Sequence, residues 1–218
     1  MCKPLIIFAV CYCLICLSCK SRVSDEYVIS NQIDTSGLNY DKLFLAADKY
    51  ADSLSNKMGL SKDTVGKKGI EFYKEYRKNN IALVYISDLA DTASSSLEAT
   101  PAILQVKKEN DNVHLVAGVG FFGGYAVDIK IKGSKYSGSF YEAAQDSMFK
   151  HDTADEKFIE EITVDAQAQK LYLSKVPHFN GNECFFGQYE ATFKPYYEKD
   201  GGIIIRKMKV KVIFKSSI

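Results

Sequence analysis

The feature that most constrains this chain is an alternation of apolar and charged side chains near its C-terminus. Apolar side chains at every second position alternate there with lysines: Lys207, Met208, Lys209, Val210, Lys211, Val212 and Phe214. A period of two is the repeat of a β-strand with one buried face and one solvated face. Because one face is wet, the pattern favours an antiparallel sheet. The lysine row offers a surface for anionic headgroups or an acidic partner, or is simply the solvated face.

The same period extends back to residue 81. Residues 81–86 form a short apolar run typical of a central strand, and 101–107, 113–119, 127–131 and 136–140 follow as further strands. Gly133-Ser134 predicts a tight hairpin turn, because glycine supplies the positive φ that such turns require. Further turns are predicted at Asn180-Gly181 and Asp200-Gly201-Gly202, and 143–156 reads as a polar connection. We therefore expect an antiparallel meander of about eight strands, curled into a barrel or half-barrel.

Two helices are predicted before the strands. An apolar stripe at spacings of three and four runs through residues 41–58: Leu43, Ala47, Tyr50, Leu54 and Met58. A second helix is expected over about 62–78, lined by Val65, Phe72 and Tyr76. The fold class is therefore α+β and mainly β. Residues 41–218 form a single globular domain, with a helical part at 41–79 and a β part at 81–216.

The N-terminus has the pattern of a targeting signal. Lys3 precedes an uncharged run at 5–17, which is short for a membrane-spanning helix, and Ser18-Cys19 ends that run. A small residue before a cysteine at this place resembles the lipobox of bacterial lipoproteins, although Cys16 replaces the usual leucine. The resemblance implies a signal peptide at 1–18, acylation of Cys19 by fatty acids such as palmitate, and a lipid-anchored place in the bacterial cell envelope. The alternatives are an ordinary signal peptide cleaved near Ser18 and an uncleaved anchor.

The segment after Cys19 is polar and has no sustained period, so residues 19–40 are predicted to be the lipidated cysteine and a tether. Removing Lys3 with the signal peptide leaves 27 basic and 27 acidic residues. With no clustered basic face apparent, nucleic acid is a poor candidate partner. Acylation of Cys19 would leave Cys184 without a partner in the mature chain.

No catalytic motif, metal-ligand spacing or cofactor fingerprint is found, so we expect no catalytic residues, no metal and no cofactor. The glycines from Gly118 to Gly124 are the most unusual local feature, and they predict either a sharp bend in the sheet or a mobile loop. In the second case Phe121 and Phe122, with Tyr125, would face a ligand. Glu160 shares the apolar parity of its segment, so it is either an inward carboxylate or the mark of a register break.

These features favour a non-catalytic binding module. Its partners would be the membrane, through the N-terminal lipid, and an apolar or amphipathic ligand or another protein. The alternative is an envelope immunity protein that neutralises a toxin. A hydrolase whose carboxylates meet only in the fold is less favoured.

Overall fold

The computed structural model describes residues 25–57, 64–91, 99–110, 112–120, 124–155, 157–177 and 184–217. The predicted signal peptide and Cys19 lie outside these ranges. The helices are α1 (Tyr40–Lys57) and α2 (Thr64–Asn79). The strands, in chain order, are β1 (Val28–Ile29), β2 (Ile81–Asp88), β3 (Ala99–Glu109), β4 (Asn112–Gly120), β5 (Gly124–Lys132), β6 (Lys135–Ala143), β7 (Phe149–Lys150), β8 (Glu161–Leu173), β9 (Cys184–Phe193), β10 (Tyr196–Lys199), β11 (Ile203–Arg206) and β12 (Met208–Ser217).

Eight of these strands close into an antiparallel barrel. The order is β8-β6-β5-β4-β3-β2-β12-β9, and a further pairing between β9 and β8 completes the circle. Each barrel strand therefore lies beside the next barrel strand along the chain, and β12 returns to β2 with Lys215 opposite Ile81 and Met208 opposite Asp88. The predicted mainly β fold, with two helices before an antiparallel meander of eight strands, is confirmed, and the sheet is a closed barrel.

Alternation along the strands fills the barrel interior. Met208, Val210, Val212 and Phe214 of β12 are buried, whereas Lys209, between Met208 and Val210, is exposed. Two glycines make room for the largest inward side chains. A Cβ at Gly187 would overlap the Phe214 ring, and a Cβ at Gly138 would overlap the Tyr189 hydroxyl. Small residues facing large ones allow a narrow barrel to be packed with side chains.

The segment before α1 is paired with the barrel. β8 pairs with β6 through residues 161–165 and with β9 through 166–173, so β6 and β8 separate toward one end. Residues 25–29 fill that wedge. The Tyr136 amide donates to the Asp25 carbonyl at 3.1 Å, and Val28 pairs in parallel with Tyr172. The tether predicted at 19–40 is therefore corrected: from Asp25 to Ile29 its backbone hydrogen-bonds with the barrel. We call this end of the barrel, which carries the β5–β6 turn, the base.

A second sheet covers the other end. Its order is β11-β10-β7. β7 follows β6, β10 follows β9 and β11 precedes β12, so all three lie at the end opposite the base. Phe149 and Tyr196 from this sheet are buried and pack edge to face, with ring centroids 6.1 Å apart. We call this three-stranded sheet the lid. It corrects the prediction of a polar connection at 143–156, because β7 lies within that range.

Polar groups join the two helices to each other and α2 to the barrel. Arg77 of α2 forms an ion pair with Asp48 of α1, and both are buried. The Tyr76 hydroxyl donates to the Leu104 carbonyl at 3.1 Å and accepts from the Val106 amide at 2.9 Å. In contrast to its predicted role in lining α2, Phe72 is 73% exposed: it lies one turn before Tyr76 on the same side of the helix, and α2 contacts β3 at Tyr76, nearer its C-terminal end.

The apolar stripe predicted for the first helix is only partly visible. Leu43 is half-buried, and the side chains of Ala47, Tyr50, Leu54 and Met58 lie outside what the structure describes. Within the described ranges, no helix combines the length and hydropathy needed to cross a bilayer.

Candidate functional site at the lid

Charged and hydroxyl side chains meet where the lid covers the barrel. We call this set the polar cluster, and its members are Asp88, Glu142, Tyr196, Glu198 and Arg206. Glu142 belongs to it because β6 alternates: Tyr136 and Phe140 point inward, and Glu142 is the next residue on that face. Tyr196 and Arg206 stand directly opposite each other in the β10–β11 pair. Three carboxylates and one guanidinium are therefore gathered at this end of the barrel.

Hydrogen bonds connect the cluster across three parts of the fold. The Tyr196 hydroxyl donates to the Glu142 carboxylate, which ties the lid to β6. Arg206 donates through Nε to Glu198 and through Nη1 to Asp88 Oδ2, the latter at 3.1 Å. The backbone amide of Lys207 donates to Asp88 Oδ1 at 3.0 Å. Asp88 ends β2, so Arg206 fastens the lid to the wall of the barrel.

Burial controls the protonation of Glu142 and Tyr196. Burial raises the pKa of Glu142, and the hydrogen bond from Tyr196, which acts in the opposite direction, does not cancel this effect. Burial and the adjacent Glu142 carboxylate together raise the pKa of Tyr196 well above its usual value. Tyr196 therefore remains a donor throughout the ordinary pH range, and Glu142 takes up a proton more readily than an exposed glutamate.

Asp88 and Arg206 keep their charges. Burial acts to raise the pKa of Asp88, but hydrogen bonds from the amides of Lys207 and Ala90 and from Arg206 outweigh it, so the pKa is lowered. Burial acts to lower the pKa of Arg206, but its bonds to Glu198 and Asp88 raise it overall. The ion pair between Asp88 and Arg206 therefore holds the lid against the end of β2, and we call this ion pair the latch.

The arrangement is suited to holding the lid on the barrel. A carboxylic acid with a raised pKa can serve as a general acid only if a substrate reaches it. Tyr196 is fully buried and Glu198 is only 8% exposed, whereas Glu142, Asp88 and Arg206 are half-buried. Among the described residues, no group of three or more histidine, cysteine, aspartate or glutamate side chains is placed to hold a metal ion.

Of the ligand-facing residues predicted from the sequence, Tyr125 lies beside this cluster. It is half-buried, stands opposite Glu142 in the β5–β6 register, and stacks on Phe140 with ring centroids 6.4 Å apart. Phe121 and Phe122, like Cys19, lie outside the described residues. Gly120 and Gly124, which flank them, have φ of +123° and +147°, conformations that favour glycine at a bend.

Glu160 is not an inward carboxylate. It is exposed and precedes β8, which begins at Glu161, and its carbonyl accepts from the Ala144 amide at 2.9 Å. The register break is therefore the correct interpretation of its parity. The carboxylate that points into the barrel is Glu142, which the sequence analysis missed. The alternation through Tyr136, Gly138 and Phe140 was the signal that could have identified it.

The lid also carries an exposed apolar strand. β11 is an edge strand, and Ile203, Ile204 and Ile205 are 62%, 36% and 38% exposed. We call these three residues the isoleucine edge. Leu89, 54% exposed, lies nearby, since its amide donates to the Lys207 carbonyl at 2.8 Å. Among the described strands, the outer side of β11 pairs with none. Exposed apolar residues on such an edge are a liability that proteins usually avoid, unless the edge serves as an interface.

Comparison with known proteins identifies no relative: no family model, curated protein or solved structure matches this chain.

Proposed function

We propose that this protein is a lipid-anchored, non-catalytic binding module of the bacterial cell envelope that binds a protein partner through the isoleucine edge. The observation that carries the proposal is the run of three exposed isoleucines on the edge strand of the lid. A strand at the edge of a sheet offers unpaired backbone amides and carbonyls, so an extended segment of another protein can extend the sheet.

The packed barrel favours a protein partner over an apolar small ligand. Inward side chains from every part of the wall, such as Val84, Leu104, Leu115, Ile129 and Phe214, have no exposure to water. A cavity for a lipid-like molecule would expose the side chains that line it. The lid, in contrast, offers a partner exposed apolar side chains that are consecutive on one edge strand.

The surroundings of the isoleucine edge indicate the chemistry of the partner. In the antiparallel lid, Ile203 stands opposite Lys199, and Ile205 stands opposite Tyr197, which in turn faces Lys150. One face of the lid therefore alternates apolar and basic groups. The matching partner is an extended segment with apolar side chains on this face and acidic residues beside them.

The location of the N-terminal segment is compatible with such a role. Cys19, the predicted lipid attachment site, precedes Asp25 by six positions, and Asp25 is bonded to Tyr136 near the base. The isoleucine edge lies at the other end of the barrel. A protein held by lipid on Cys19 would thus present this edge away from the membrane surface.

The test is site-specific photo-crosslinking in bacterial cells that produce the full chain. A photoreactive residue at position 203 or 205 is expected to give one discrete heterologous product. The same residue at position 72 is the control, because Phe72 is at least as exposed but lies on a helix. Ile203→Lys with Ile205→Lys should abolish capture of that product by the purified full chain, whereas Phe72→Lys should leave it unchanged.

Three results would overturn the proposal: no discrete product, equal products from positions 72 and 203, or a product that is a second copy of the chain. Identification of the crosslinked protein as a toxin would favour the alternative function of an immunity protein, which would use the same kind of surface.

A further inference from the structure

Four lysines are brought together near the base by the register of β3, β4, β5 and β6. One cross-strand row places Lys107, His114, Lys130 and Ser137 side by side, and the next row places Glu109, Asn112, Lys132 and Lys135 side by side. Both rows lie on the outer face, since the residues between them, Val113, Ile131 and Tyr136, point inward and are buried. The rows border a groove of about 590 Å³, which we call the lysine groove.

The lysine groove is strongly basic. Its four lysines stand against one glutamate, a net charge of +3 with His114 neutral. Lys107 pairs with Glu109 at 2.5 Å, and Lys130 lies 3.6 Å from Asp128, whose other oxygen is 2.5 Å from His114. Glu109 and Asp128 are therefore both in contact with residues of the first row, which contains Lys107, His114 and Lys130.

Lys132 and Lys135 are the free charges. They stand directly opposite each other where β5 turns into β6, both are exposed, and neither has an ion pair within the described residues. Glu26 pairs by its backbone with Lys135, but its carboxylate accepts from the Ser134 hydroxyl at 3.1 Å. Like charges directly opposite each other destabilise a sheet, so an anion bridging the two lysines would stabilise the hairpin.

The N-terminal segment enters the fold beside this groove. The Tyr27 amide donates to the Ser134 carbonyl at 3.2 Å, and the Asp25 carbonyl accepts from the amide of Tyr136, which borders the groove. Asp25 follows Cys19 by six positions, so the two lie at most about 22 Å apart. A lipid on Cys19 would therefore keep the lysine groove close to the bilayer surface.

We propose that the lysine groove docks on the phosphate groups of anionic phospholipids in the membrane that holds the lipid anchor. This inference rests on the anchoring part of the proposed function and is independent of the isoleucine edge. Basic side chains within a Debye length of an anionic leaflet are attracted to it, and exposed lysines at the rim can reach the headgroups. Docking would fix the barrel with its base toward the membrane and its lid away from it.

The experiment uses the full chain as processed by the cell, purified from membranes and reconstituted into vesicles. One set of vesicles contains phosphatidylcholine alone, and the other contains phosphatidylglycerol as well. Amine acetylation read by mass spectrometry is expected to modify Lys132 and Lys135 about tenfold more slowly on the anionic vesicles. Lys199 in the lid is the internal control and should react at equal rates. High salt should remove the difference.

The matched variants exchange the same number of charges at the two ends of the barrel. Lys107 and Lys130, which border the same groove, should also be protected on the anionic vesicles. Lys132→Glu with Lys135→Glu should abolish that protection, whereas Lys199→Glu with Lys207→Glu should leave it intact. Equal acetylation of Lys132 on both kinds of vesicle would overturn the inference. So would protection by inorganic phosphate on neutral vesicles to the same degree, which would indicate a site for a free anion.

Intact-mass measurement of the same sample distinguishes failure of the docking inference from failure of the proposed lipid anchor. An acylated Cys19 with unprotected lysines refutes docking and leaves the anchor standing. An unacylated Cys19 refutes the anchor, and the inference falls with it.

Discussion

The hydroxyl of Tyr189 occupies the space that a side chain at Gly138 would fill. A Cβ built on Gly138 would overlap that hydroxyl and the adjoining ring carbon. The hydroxyl itself donates to the Gln169 side chain at 3.0 Å, and Gln169 donates in turn to Asp25 at 2.6 Å. One glycine on β6 thus allows a tyrosine from β9 to connect the barrel interior with the N-terminal segment.

We therefore expect Gly138→Ala to destabilise the fold by about 1–3 kcal/mol, the usual cost of forcing an extra methyl into a packed core. Denaturant unfolding of the full chain measures it. Gly118→Ala is the matched control, because a Cβ there would lie 3.7 Å from Ala126, an ordinary contact. Tyr189→Phe in the Gly138→Ala background should recover part of the loss. Equal effects at positions 118 and 138 would show that Tyr189 does not require a glycine at position 138.

The raised pKa of Glu142 predicts a particular pH dependence. The folded state holds this proton more tightly than the unfolded state, whose pKa is near 4.5. The contribution to stability is therefore complete below pH 4.5 and is lost as the pH rises through the raised pKa. Glu142→Gln, whose amide oxygen still accepts from Tyr196, should flatten the free energy of unfolding across that window. An unchanged slope in this variant would show that another group titrates there.

The latch between Asp88 and Arg206 should matter more than an exposed ion pair near the same end of the barrel. Asp88→Asn removes the charge that Arg206 binds, and we expect a loss of about 1–3 kcal/mol with faster proteolysis between β10 and β11. The exposed pair of Asp165 and Lys194, 3.2 Å apart, is the control. Asp165→Asn should cost no more than about 0.5 kcal/mol. A lid that resists proteolysis equally in both variants would argue against a latch.

The hydroxyl of Tyr76 should anchor α2 to β3. Tyr76→Phe leaves the Leu104 carbonyl and the Val106 amide without their partner, at an expected cost of about 1–3 kcal/mol. Phe72→Ala, one turn earlier at an exposed position of α2, should change stability by less than about 0.5 kcal/mol. Hydrogen exchange at the Val106 amide gives a local measurement, and it should accelerate in Tyr76→Phe alone.

The sequence indicates much of the barrel wall but little of what closes it. Alternation correctly placed Val210, Val212 and Phe214 on the buried face, because side-chain parity is a local property of a strand. The pairing of Asp165 with Ser139, where β8 joins β6, leaves no such local signal. The lid strands are short, and Ile203 to Ile205 show no alternation at all.

The candidate site was harder still to predict. Glu160, and not Glu142, was the candidate for an inward carboxylate, because alternation indicates orientation only within one continuous strand. Strand β8 begins at Glu161, so Glu160 lies outside the strand whose alternation was used. The prediction for Phe72 failed because an apolar residue at helical spacing is buried only where that part of the helix meets the core. Tyr76, one turn later on the same side of α2, bonds to backbone groups of β3, whereas Phe72 is exposed.

The seam filled by residues 25–29 bears on the order in which the chain assembles. Its hydrogen bond from Gln169 to Asp25 joins groups 144 positions apart in the sequence. Contacts between such distant positions form late, because most of the chain must be ordered before they can close. Residues 25–29 therefore take up their full set of contacts only when β8 is in place beside β6. If Cys19 is processed as proposed above, that reaction would precede the last pairing of this segment with the barrel.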